Sequence, residues 1–114
     1  MTELMQAKDE SAALETMHSA GMTDGLPVVI PTPERVASMV LASGQDADMQ
    51  LGVMGPAGGV ATIEKVAVAS VMAGCLVEHL PVVIAAVQAV LKDEFDLAQM
   101  QSTTHCTAPM IIVN

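Results

Sequence analysis

Apolar positions recur along the chain at two different spacings, and each spacing predicts its own kind of element. From Thr2 to Ala20, Leu4, Met5, Ala12 and Met17 recur at roughly helical intervals with Gly21 at the stop position, which predicts a helix over 2–19. Its outer face is acidic, through Glu3, Asp9, Glu10 and Glu15. Val28-Val29-Ile30 reads as a short strand hemmed in by Pro27, Pro31 and Pro33, an arrangement confined to a sheet edge or a rigid extended entry. Thr32 then serves as N-cap and Pro33 as first residue of a helix over 33–42, carried by Val36, Met39, Val40 and Leu41 and stopped by Gly44. Met49 to Met54 predicts a strand over 49–54, Gly55 to Gly59 a turn, and Thr62 the opening of a helix over 62–73. A wholly apolar helix follows over 80–92, and Met110-Ile111-Ile112-Val113 has the continuity of a buried strand over 110–113. Strands separated by helices favour parallel pairing. The expected fold is therefore α/β: a small layered sheet of short, mostly parallel strands covered by apolar helices, in a single domain made of an acidic helix (1–23) and an α/β body (24–114).

The most hydrophobic stretch runs from Val66 to Leu91, yet Cys75, Glu78 and His79 stand at its middle. Two apolar helices joined by a short turn explain it, with Gly74 ending the first and Pro81 in the first turn of the second, where its missing N–H costs nothing. A bilayer span is disfavoured because an ionisable pair and a proline fall at its centre, and each half alone has the length of a buried core helix. No Trp, Tyr or flanking basic cluster is present to anchor an interface.

Composition narrows the function classes. The 114 residues hold one Phe, no Trp or Tyr, and ten Met, so Val, Ala, Leu and Met must supply the core. A net charge of −9 with only four basic residues, scattered singly, lacks the footprint that nucleic acid binding needs. Neither nucleic acid nor membrane is an expected partner. Two cysteines, and no basic segment ahead of an apolar one at the start, are the pattern of a cytoplasmic protein with reduced thiols.

The candidate chemistry gathers in four segments: the Asp24–Thr32 loop, the Gly55–Gly59 turn, the Cys75–His79 turn and the Ser102–Cys106 loop. Cys75 is the candidate nucleophile or redox thiol, with His79 or His105 as base and Glu78 as an orienting or acid/base carboxylate, because cysteine chemistry needs a thiolate and an imidazole can stabilise one. Asp24, Gly25, Thr32, Gly58, Gly59 and Thr104 are the candidate substrate-binding positions. A glycine-rich turn between a strand and a helix can cradle an anion on its backbone N–H groups, although the spacing here fits neither a Walker motif nor a dinucleotide fingerprint. Cys75, His79, His105 and Cys106 together form a Cys2His2 set that suits zinc or another transition metal, with the difficulty that adjacent residues on an extended segment point to opposite sides. A buried, inert Cys75 is the alternative to both, and a position just after a helix C-terminus disfavours a thiolate.

Asp24-Gly25-Leu26-Pro27-Val28-Val29, Pro31-Thr32-Pro33-Glu34-Arg35-Val36, Met72-Ala73-Gly74-Cys75 with Leu80-Pro81-Val82-Val83, and Ala108-Pro109 before Ile111-Ile112-Val113-Asn114 resemble the N-terminal half of a poorly characterised bacterial family. That family is associated with small thiol or selenol proteins bearing a Sec/Cys-Gly-Ser-Cys motif. The resemblance covers residues 24–114 and implies a half-length or split version whose longer relatives continue past Asn114. Where relatives carry Arg-Pro-Glu-Tyr, this chain has Leu76-Val77-Glu78-His79, which keeps the glutamate and exchanges the aromatic hydroxyl for an imidazole. Cys75, Glu78, His105 and the Asp24-Gly25 turn are the positions the resemblance carries over.

The functional expectation is a cytoplasmic subunit of a thiol-dependent or metal-assisted enzyme, a lyase or an oxidoreductase, acting on a small organic substrate within an oligomer. The alternative is a non-catalytic structural or regulatory subunit of a hetero-oligomeric enzyme. Either reading requires self-association or a larger protein partner, since a helix apolar on every side must be covered on every side.

Overall fold

A computed structural model describes residues 4–114. Its regular elements are α1 (Glu10–Ser19), α2 (Pro33–Ser43), β1 (Gln50–Met54), β2 (Gly59–Thr62), α3 (Ile63–Met72), α4 (Leu80–Val90) and α5 (Leu97–Gln101), with single 3-10 turns at Val77–His79 and Asp93–Phe95. The layered parallel sheet expected from the alternation of elements does not form. Among the described residues the sheet has two strands, β1 and β2, paired antiparallel with Val53 opposite Val60 and Met54 opposite Gly59. The protein is helix-dominated.

Connection length decides this topology. Only residues 55–58 separate the two strands, whereas parallel neighbours need a crossover of about a dozen residues. Gly58 adopts a φ of +74°, and its N–H bonds the Met54 carbonyl at 3.0 Å to close the reversal. The segment expected to be a glycine turn leading straight into a helix is thus a hairpin whose second strand precedes the helix. The expected strand at 28–30 does not form; that segment is held instead by Val29 N–H to the Met72 carbonyl at 3.1 Å and by the Arg35 side chain on the Ile30 carbonyl at 2.9 Å. At 110–113 there is no strand at all, and every residue there is exposed.

The core is a three-helix arrangement rather than a covered sheet. Met39 of α2, Ile63, Val66, Ala67 and Val71 of α3, and Leu80 and Ile84 of α4 form one buried cluster, with Leu51 of β1 packed at its edge. Ile63 and Leu80 are fully buried, each contributing about 1.5–3 kcal/mol of hydrophobic stabilisation. The buried face of α3 follows helical spacing through Ile63, Val66, Ala67, Ser70 and Val71. Ser70 is tolerated there because its hydroxyl donates to the Val66 carbonyl at 2.8 Å.

Side-chain caps set where the helices begin. Thr32 accepts the Arg35 N–H and Thr62 the Lys65 N–H. Asp9 accepts the Ala12 N–H at 2.9 Å, which starts α1 at Glu10, later than the sequence pattern predicts; residues 4–9 are not helical, and 2–3 lie outside the described residues. α4 is not covered on every side as its composition implies: Leu80, Ile84 and Val90 are buried, while Val82, Ala85 and Ala89 are exposed. No helix among the described residues is long and apolar enough to cross a membrane.

Candidate functional site

The chain turns sharply where α3 ends, and that turn positions Cys75. Gly74 takes a left-handed φ of +78°. Its N–H bonds the Val71 carbonyl and the Cys75 N–H bonds the Ser70 carbonyl, both at 2.9 Å, which is the paired bonding of a Schellman motif. Cys75 is thereby held half-buried against the core, a free thiol. It lines a cleft of about 300 Å³ between Val29, the first turns of α2 and the end of α3, with Arg35, Ser38, Met39, Val71 and Val77 among its walls.

Two of the four predicted segments therefore meet, the 24–32 loop through Val29 and the 75–79 turn through Cys75. The other two lie elsewhere. The hairpin turn packs on α5, so closely that a Cβ on Gly55 would sit 2.7 Å from that of Ala98, and Ser102 and Thr103 belong to a separate open hollow beside α5.

Glu78 and His79 stand exposed on the 3-10 turn and do not line the Cys75 cleft. The His79 Nδ1 accepts the Leu76 N–H at 3.2 Å, so that nitrogen fastens its own turn and is not free to take a proton from a thiol. His105, Cys106 and Thr104 lie exposed on the segment after α5, which carries no helix or strand. The constellation of Cys75, Glu78, His79 and His105 is not assembled around one cavity in the isolated chain. Among the described residues no group of three or more His, Cys, Asp or Glu side chains is arranged to hold a metal ion, so the set Cys75, His79, His105 and Cys106 is likewise not brought together.

Most of the predicted substrate-binding positions make local structural bonds. Asp24 accepts the Leu26 N–H at 2.9 Å around Gly25, whose φ is +90°, an Asx turn. Thr32 caps α2, and Gly58 and Gly59 close the hairpin. The N-terminus of α3 offers no anion cradle either. The N–H groups of Ile63, Glu64 and Lys65 are spent on the Met49 carbonyl, the Ala47 carbonyl and the Thr62 hydroxyl.

The cation in the cleft wall escaped sequence reasoning. Arg35 follows the Thr32 cap, and its Nη1 reaches back to the Ile30 carbonyl at 2.9 Å and across to Glu10 of α1 at 3.0 Å. It is one of only four basic residues in the chain, and that scarcity was the available signal. Beside it, hydrogen bonds from the Glu34 backbone N–H and the Thr32 side chain, with the Arg35 charge, hold the Glu34 carboxyl below the usual carboxylate range.

No family model matches the chain, and no curated protein or solved structure matches it.

Proposed function

We propose that the protein is a cytoplasmic subunit of a hetero-oligomeric enzyme, supplying a docking surface to a larger partner rather than a complete active site. The observation that carries this reading is the apolar segment after α5. Met110, Ile111, Ile112 and Val113 are 81%, 54%, 80% and 67% exposed, in a run of strand-forming residues with nothing paired to it. Each Å² of such surface removed from water contributes about 25 cal/mol. The uncovered side of α4, with Val82 46% exposed, adds to it, and both edges of a two-stranded hairpin can accept a further strand. Light scattering on the full chain at micromolar concentration should find assembly or strong binding of a hydrophobic dye. The double substitution Ile111→Asp/Ile112→Asp should abolish it. A stable monomer of 11.8 kDa that binds no dye rejects the proposal.

A second reading rests on a different observation, the half-buried Cys75 thiol in the wall of the Arg35 cleft. In it the subunit contributes Cys75 as the thiol that reacts with a small organic substrate, and the base is supplied by the partner. Alkylation of Cys75 against pH tests it. A thiol unreactive at neutral pH, together with full activity of the assembly after Cys75→Ser, leaves the docking role alone.

A further inference from the structure

The walls of the Cys75 cleft differ from one side to the other. Val29, Met39, Val71 and Val77 make most of it apolar, while Arg35 and Ser38 of α2 are the lining residues that carry a guanidinium and a hydroxyl. A volume of about 300 Å³ lies at the small end of ligand sites, which pair apolar walls with a few fixed polar groups. Both described bonds of the guanidinium, to the Ile30 carbonyl and to Glu10, use Nη1, and this leaves the Nε and Nη2 edge to a ligand. Ser38 is anchored too, its hydroxyl donating to the Glu34 carbonyl at 2.9 Å, so its oxygen retains acceptor capacity and the guanidinium is the group that meets an anion.

We propose that this cleft binds a short aliphatic carboxylate, with the hydrocarbon chain against Met39 and Val71 and the carboxylate on the Nε/Nη2 edge of Arg35, beside the Cys75 thiol. A planar guanidinium edge takes a carboxylate through two parallel N–H···O bonds. The net charge of −9 repels anions from the surface as a whole, so any preference for them here is local to Arg35. Glu10 offsets part of that charge, which makes the bidentate geometry, more than net charge, the source of selectivity. The inference rests on the reading of Cys75 as an accessible thiol, and its test separates the two.

The test is the ratio of alkylation rates by iodoacetate and iodoacetamide at Cys75, measured on the full chain with the exposed Cys106 as internal reference. In both cases the thiolate attacks the CH2 carbon and displaces iodide, so the ratio cancels the thiolate fraction and reports only preference for a carboxylate. The ratio at Cys75 should exceed that at Cys106 several-fold, fall to the Cys106 value in Arg35→Gln, and rise in Glu10→Gln, which releases the guanidinium from its carboxylate. Isovalerate should slow iodoacetamide at Cys75 and isovaleramide should not. Equal ratios at the two thiols, or equal protection by acid and amide, overturn the carboxylate site while leaving Cys75 an accessible thiol. A Cys75 that reacts with neither reagent overturns both.

Discussion

Single side chains in this protein act through burial or through caps, and the two respond to different perturbations. Leu80 is wholly buried at the start of α4, where it joins the cluster formed by α2 and α3. Leu80→Ala should cost about 2–5 kcal/mol in denaturant titration, the range for a buried leucine whose cavity collapses only in part. Glu34 acts electrostatically at an exposed site. Its carboxyl is held below the ordinary range by its own backbone N–H, by Thr32 and by Arg35. A depressed folded value means that its contribution is fully present above the unfolded carboxyl's value and is lost as pH falls through the folded one. Wild type should therefore melt slightly above Glu34→Gln at neutral pH, and the difference should vanish in acid. A gap that persists in strong acid would show that the charge is not its source.

The decisive element is the turn between α3 and α4. Gly74 is the residue whose positive φ permits the paired bonds to Ser70 and Val71, and the nearest atom to an added Cβ, on Val29, is 3.9 Å away. The cost of Gly74→Ala is thus conformational rather than steric. It should be about 1–2 kcal/mol, the penalty for a left-handed L-residue, accompanied by faster alkylation of Cys75 as the motif that half-buries it loosens. Unchanged stability and unchanged Cys75 reactivity would mean that the turn does not set the thiol's position.

On the scale of the whole molecule, the core lies in three helices and the segment beyond α5 adds nothing to it. Ile111→Asp/Ile112→Asp should accordingly leave the unfolding free energy of the isolated chain within about 0.5 kcal/mol per substitution, as for surface positions generally, while removing association. A large loss of stability from the same pair would place that segment in the core of the folded chain.

Local sequence determined most of the helices. Thr32 with Pro33, Thr62, Gly44, Gly74 and Pro81 are punctuation that acts within a few residues, and α2 and α3 begin and end, and α4 begins, close to where those residues predict. Asp9 is the same kind of signal, and reading it as a cap rather than as part of a polar face would have placed α1 correctly. The sheet and the site were decided only by tertiary structure. Apolar continuity at 28–30 and 110–113 expresses a capacity to pair, but pairing needs a neighbouring strand, and among the described residues only 50–54 and 59–62 find each other, through a turn too short for any other outcome. Cys75 and Arg35 come to one cleft because α2 packs across the end of α3. His79 and Glu78, closer to Cys75 in sequence, are turned away by one 3-10 turn. Spacing along a chain fixes which residues can share a local hydrogen bond; helix packing decides which of them share a cavity.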